Sequence, residues 1–346
     1  MMADAHVLCP ICLRHVEWDD PPLYRYDAER DEHVELEVPA DAGPEQRARL
    51  RRTARVRCPG PGAEHHLPAA YGEYGPPIVL GLVGGRSAGK THLLAAMVEA
   101  VERGEPARRY GLTCWPVDVL LHRQYLREHV DPLVGGARRL DPTPPGRVMF
   151  ADAFVVEPSG GSPRVVALFD VAGDDLTRVA DAAVFLDAAD GLMFVVDPAR
   201  LADGDHRDHA FGTVLDLLRA SGRLPEVSAA VVLAKSDLLR FEDPLALWLR
   251  RDGAPLDAAA TLAESADVYA YLHRRGAHAW NRPYQVCARA TLHVVSATGA
   301  DPVPDADGNG GAFVHGVRPR RVLHPLVALL AMTGALTGPE AERIGR

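Results

Sequence analysis

Apolar residues fall along this chain in two regimes. From about residue 78 onward, short unbroken apolar runs alternate with stretches of helical period. IVLGLVG (78–84), GLMFVVD (191–197), AAVVLAKSD (229–237) and LHVVSAT (292–298) read as strands buried on both faces. ADAFVVEP (151–158) and RVVALFD (164–170) read as two more. THLLAAMVEAVERGE (91–105) sets leucine, alanine and methionine on one helical face, and helical patterns recur at 206–220 and about 255–275. Residues 117–133 read as an inserted helix, followed by the loop GGARRLDPTPPG. VLHPLVALLAMTGAL (322–336) is broken by His324, Pro325 and Gly334 and falls short of the roughly 20 residues a membrane span needs. It reads as a packed helix. The alternation predicts an α/β doubly wound domain.

One connection carries more information. Only SGGSP separates residues 158 and 164. Five residues cannot cross over between parallel strands, but they can close a hairpin. One strand pair in a mostly parallel sheet is therefore expected to be antiparallel, and it ends on Asp170.

Residues before about 75 follow no such rhythm. They are polar, hold CPIC (9–12) and CPGPGAEHH (58–66), and carry six arginines in QRARLRRTARVR. The turn-rich YGEYGPP closes them. The expected division is a small module over 1–75 and an α/β domain over 76–346.

Composition narrows the classes. Apolar content of 47% and charged content of 25% suit a globular chain, and a net charge of -9 argues against a general nucleic-acid binder. No basic segment leads into an apolar run at the start, so the expected location is the cytoplasm. The arginine run then reads as a solvated face or a protein-docking strand. Of 38 Lys plus Arg only two are lysine, Lys90 and Lys235.

Both lysines sit in motifs. Residues 84–91, GGRSAGKT, satisfy G-x-x-x-x-G-K-[ST] between a strand and a helix. Glycines at such a turn let backbone N–H groups surround phosphates, and Gly84, Gly85, Arg86, Ser87, Ala88 and Gly89 form the cradle. Lys90 offers a compact charge where an arginine fork would not fit. Thr91 offers a hydroxyl to Mg²⁺. Lys235 lies in AKSD at a strand end, a form of the guanine-recognition signature [NT]-K-x-D. There the lysine stem covers the base and Asp237 accepts from the two guanine N–H donors, which adenine lacks.

These residues resemble the TRAFAC class of P-loop GTPases. GGRSAGKT, DVAG (170–173), AKSD and SAT (296–298) occur in the expected order over about 78–336, and an antiparallel strand precedes the DxxG strand in that class. More narrowly the chain looks like bacterial double-GTPase proteins with an N-terminal Cys-rich segment, which are predicted to act in conflict or defence gene clusters. The resemblance implies GTP as substrate and GDP as product. It implies that Asp170 and Thr143 serve Mg²⁺, that Gly173 senses the γ-phosphate, and that Ser296 and Ala297 close over the guanine. Two departures stand out. Ala234 replaces the Asn or Thr that ties the base loop to the phosphate loop. Asp174, followed by Asp175, stands where Ras-like proteins orient the attacking water with glutamine. Slow hydrolysis follows, sped by a protein partner, a homodimer or an arginine in trans, with Arg86 as a charge in cis.

Cys9, Cys12 and Cys58 with His65 or His66 make a Cys3His zinc site, ribbon-like in form, which would also explain how so polar a segment folds. Cys114 and Cys287 stand alone in apolar surroundings and read as core. The readings that compete with a GTPase switch are an ATPase, a nucleotide-locked scaffold without hydrolysis, and an RNA-bound factor.

Overall fold

A computed structural model describes residues 6–18, 21–27, 30, 32–39, 41–60, 64–141, 148–171, 180–202, 209–251, 255–304 and 311–345. In the first 75 residues, β1 (His6–Leu8) and β2 (His15–Glu17) pair antiparallel. β3 (Leu23–Asp27), β4 (Glu32–Glu35), β5 (Arg55–Arg57) and β6 (His66–Pro68) form a four-stranded sheet in the order β4-β3-β5-β6, with α1 (Pro44–Arg51) between β4 and β5.

The main sheet has seven strands: β7 (Ile78–Val83), β8 (Leu112–Pro116), β9 (Val148–Pro158), β10 (Arg164–Val171), β11 (Gly191–Val196), β12 (Ser228–Leu233) and β13 (Ala290–Val294). Their order is β13-β12-β11-β7-β10-β9-β8. β7, β10, β11, β12 and β13 run parallel, while β9 pairs antiparallel with both β10 and β8. The hairpin expected at 158–164 is thus present. β8 escaped the sequence reading because LTCWP is short, sits at the sheet edge and ends in proline, so no apolar run marks it.

The helices are α2 (Lys90–Glu102), α3 (Glu105–Tyr110), α4 (Val119–Tyr125), α5 (Ala180–Ala188), α6 (Ala199–Ala202), α7 (His209–Ala220), α8 (Leu245–Arg250), α9 (Ala258–Arg274), α10 (His278–Val286), α11 (His324–Met332) and α12 (Pro339–Arg343). Among the described residues no helix is long and apolar enough to cross a membrane. Successive strand residues serve opposite faces, as the period of two requires. Leu80, Leu82, Met193 and Val195 pack with residues of α2 and α11, while Val79, Val83, Phe169 and Phe194 pack with Phe185, Phe211 and Trp280. Val7, Val16, Leu23, Val56, Leu67 and Tyr71 belong to that second cluster. The N-terminal segment therefore gains burial from the main sheet as well as from its own strands.

The helix expected over 117–133 is corrected in one respect. α4 runs on into a π-helical stretch, Leu126–Gly135, that holds Pro132. Wide turns absorb a residue that cannot donate, and the Gly136 N–H reaches the Asp131 carbonyl at 2.8 Å. α4 starts on Asp118, whose Oδ1 accepts from the amides of Leu120 (2.9 Å) and Leu121 (3.2 Å). Its Oδ2 accepts from Arg55 Nη2 at 2.8 Å. One arginine of the basic run thus bolts β5 to the inserted helix.

Candidate nucleotide site

The C-terminal ends of β7, β10, β11, β12 and β13 lie along one edge of the sheet, where open α/β sheets hold ligands. β7 is central, and the loop 84–89 leaves it to enter α2. Gly84 has no room for a side chain: a Cβ there would lie 2.4 Å from the Val195 carbonyl oxygen. Gly89 takes φ 94° as the first residue before α2, a conformation glycine adopts freely. The Lys90 ammonium turns back into the loop, donating to the Gly84 carbonyl at 2.7 Å and the Gly85 carbonyl at 3.2 Å, and only 7% of the residue is exposed. Arg86 is exposed on the same loop. The amide ends and dipole of α2 add positive potential at this point.

On the β10 side, Thr91 Oγ1 donates to Asp170 Oδ2 at 2.8 Å. A hydroxyl and a carboxylate so close are hard oxygen donors suited to Mg²⁺. The next residue, His92, accepts the Leu140 N–H on Nε2 at 3.2 Å. Burial first, then the charges of Arg139 and Lys235, lower it to about 4.

On the β12 side, 234–237 forms a tight turn with Lys235 at φ 48°. Asp237 is buried, and its Oδ1 accepts from Ser296 Oγ at 2.5 Å. Ser296 Oγ in turn accepts the Gly299 N–H at 2.9 Å, and the Ser236 N–H reaches the Val295 carbonyl at 3.0 Å. The AKSD and SAT motifs are thus laced together, with Ala297 buried beside them. Beneath them the Arg321 guanidinium bonds Glu264 Oε2 (2.6 Å) and the carbonyls of Val294 (3.2 Å) and Arg251 (2.6 Å). Burial alone would raise Glu264, but His293 and Arg321 outweigh it and hold the carboxyl below its ordinary range.

The sequence reading missed one residue here. Lys235 Nζ lies 2.6 Å from Asp197 Oδ2, and the lysine Cε passes 3.8 Å from where a Gly89 Cβ would be. Lys235 therefore spans from the β11 end to the phosphate loop. Asn or Thr at 234 would have supplied a tie between the two loops; here the Lys235 stem, paired with Asp197 at its end, passes beside the phosphate loop. Asp197 ends an apolar run in the sequence, but that this run lies beside the phosphate-loop strand is known only from the sheet order. Thr143, Gly173, Asp174 and Asp175 lie outside the described residues.

A second cluster lies in the N-terminal segment. Cys9, Cys12, Cys58 and His65 bring one ligand atom each to within 4.8 Å of one another. Cys9 Sγ is 3.2 Å from His65 Nε2, and Cys12 Sγ is 3.7 Å from Cys58 Sγ. The amides of Ile11, Cys12 and Gly60 point at these sulfurs. Three thiols and an imidazole at these separations fit a tetrahedral zinc ion. His66 is excluded from the set: its ring stacks on His33 at 3.8 Å and meets Tyr24 edge-on at 5.1 Å. His65 lies just before β6, and its Nε2 is the one that reaches Cys9 Sγ. Cys287 is buried as expected, but Cys114 is only half-buried, on the edge strand β8. Burial pushes both thiols up to about 12.

No protein-family model matches the chain. No curated protein matches it either. Similar solved structures include a bacterial selenocysteine-specific elongation factor, EF-Sec, at 17% identity and TM-score 0.29, over 64% of this chain and 25% of that one. Another is Sup35 complexed with GDP, at 14% identity and TM-score 0.30, over 66% of this chain and 39% of that one. The chain spans about a quarter of the first and two fifths of the second.

Proposed function

We propose that this chain is a GTP-binding and GTP-hydrolysing switch. The observation that carries the reading is Asp237: a carboxylate only 4% exposed, held by Ser296, at the same sheet edge as the phosphate loop. A buried acceptor of this kind rewards a base with two adjacent N–H donors and rejects one without them. Lys235 then lies along base and sugar. Backbone amides of 84–89 hold the phosphates, and Lys90 leaves the Gly84 and Gly85 carbonyls for the β- and γ-phosphate oxygens. Thr91 and Asp170 would hold Mg²⁺, which when bound would neutralise charge on the phosphates.

The 76–346 region is the GTPase domain, with Thr143 and Gly173 as γ-phosphate sensors and Asp174 beside the attacking water. The 1–75 region is a module whose Cys9, Cys12, Cys58 and His65 hold a structural zinc. Its docking onto the sheet suits a regulatory switch that reports to a protein partner. The Ala234 position favours an ATPase as the second reading, but Asp197 still directs the Lys235 stem past the phosphate loop.

Asp237→Asn tests this. Asparagine offers a donor where guanine also donates, so GTP affinity should fall about 100-fold while XTP binds. Unchanged GTP preference, or ATP displacing GTP from the wild type, would remove guanine from the reading.

A further inference from the structure

The turn after β11 carries a cation that the phosphate-loop motif does not contain. Ala199 N–H donates to Asp197 Oδ1 at 3.0 Å, Arg200 N–H to the Asp197 carbonyl at 3.2 Å, and Leu201 N–H to the Pro198 carbonyl at 3.0 Å. These bonds fix the backbone of Arg200 at the end of the strand next to β7. The half-buried side chain reaches the phosphate loop. A Cβ placed on Gly85 would meet one heavy atom within 4 Å, Arg200 Nη1, at 3.2 Å. A methyl group at 85 would need the guanidinium to give by a few tenths of an ångström.

Gly85 is also a residue whose carbonyl Lys90 holds, at 3.2 Å. Two cations thus address one residue of a six-residue loop, and Lys235 passes close to Gly89 in the same loop. A guanidinium set against Gly85, beside the Lys90 and Lys235 amines, adds positive potential at the loop, which suits an anion held there. A triphosphate brings the required charge.

We propose that Arg200 is a phosphate-contacting arginine acting in cis, reaching past Gly85 to the terminal phosphate of the bound nucleotide. The proposal rests on the GTPase reading above. In the step it assists, a water oxygen forms a bond to the γ-phosphorus while the bond from that phosphorus to the β–γ bridging oxygen breaks. GDP leaves with the electron pair, inorganic phosphate forms, and the proton of the water passes to phosphate or solvent. The guanidinium stabilises the charge gathering on the bridging and terminal oxygens, a role in which one arginine changes rates by orders of magnitude. The chain then needs no arginine from a partner.

The test uses the full chain with Mg²⁺. Single-turnover GTP hydrolysis and equilibrium binding of GTP and GDP are measured for wild type, Arg200→Ala, Arg200→Lys and Arg200→Gln, with melting temperatures to verify folding. Arg200→Ala should lower the hydrolysis rate at saturating GTP about 100-fold and leave GDP affinity within about threefold. Arg200→Lys should not rescue, because an ammonium lacks the fork. Arg200→Gln keeps much of the side chain's bulk without its charge and should lower the rate as well, and this variant decides the matter if Arg200→Ala fails to fold. Wild-type rates in both Arg200→Ala and Arg200→Gln overturn the proposal alone. A wild type that holds GTP without turning it over also overturns it, since a cis arginine requires no partner. A wild type that binds no nucleotide overturns the GTPase reading and this proposal with it. Hydrolysis of ATP in place of GTP overturns only the base assignment, and the same variants are then read with ATP.

Discussion

Lys235 and Asp197 form an ion pair, Nζ to Oδ2 at 2.6 Å, between the ends of two neighbouring parallel strands. Lys235 is 31% exposed along its side chain and Asp197 10%, so solvent screens the pair on the lysine side. The pair fixes the direction of the lysine stem rather than the stability of the fold. Asp197→Ala should therefore lower guanine-nucleotide affinity about tenfold with little change in melting temperature, since one lost charge-assisted hydrogen bond amounts to about 1.5 kcal/mol or more. Calorimetric titration with GDP checks this. Unchanged affinity would mean the lysine holds its course without Asp197.

Lys90 lies folded onto the loop carbonyls, so part of its role is already visible without phosphate. Lys90→Ala should abolish tight nucleotide binding while the protein stays folded. Fluorescent-nucleotide titration reads the first and circular dichroism the second. Retained affinity would displace the site from residues 84–91.

The Cys3His set predicts metal in the purified protein. Elemental analysis should find about one zinc per chain, and a strong chelator should lower the melting temperature, because binding energy at such a site is folding energy. Cys58→Ser should lose the metal. A chain that contains no zinc and keeps its melting temperature in chelator would leave the cluster as four unligated side chains.

His122 predicts a pH dependence. Its Nδ1 lies 2.6 Å from Asp152 Oδ2 and its Nε2 3.1 Å from Glu102 Oε2. Burial pulls the imidazole down, but Asp152 and Glu102 together outweigh it and raise it above 6.5. A raised folded value means the contribution is full below the unfolded value and is lost as pH rises through the folded one. Melting temperature should fall as pH rises above about 6.5 in wild type, and less so in His122→Gln. Asp152→Ala removes one of the two carboxylates that hold His122 and should cost about 2 kcal/mol, read from urea denaturation at pH 6.

The parallel strands and the hairpin were legible because continuous apolar runs and a five-residue connection admit few other readings. The phosphate-loop motif stood out in the sequence, and two of its glycines have a structural reason, Gly84 in backbone space and Gly89 in its left-handed conformation. Asp197 and Arg200 were not legible. Their roles depend on β11 lying beside β7, which spacing along the chain does not state. Asp152 hid in an apolar run, where a lone acid gives no hint of His122 thirty residues earlier. His65 could be told from His66 only once one ring met Cys9 and the other stacked on His33.

Lys90 and Lys235 are the only side-chain amines in 346 residues, and one is 7% exposed while the other is pinned by Asp197. Chemistry that targets ε-amino groups therefore finds no acceptor on the rest of the surface. Acylation, carbamylation or the attachment of a protein tag through an isopeptide bond can take place only at the α-amino end or at the nucleotide site itself. Beyond the α-amino end, an amine-reactive ester thus becomes a titrant of these two lysines, and a ligand that covers both should leave the α-amine as the remaining amine to be labelled.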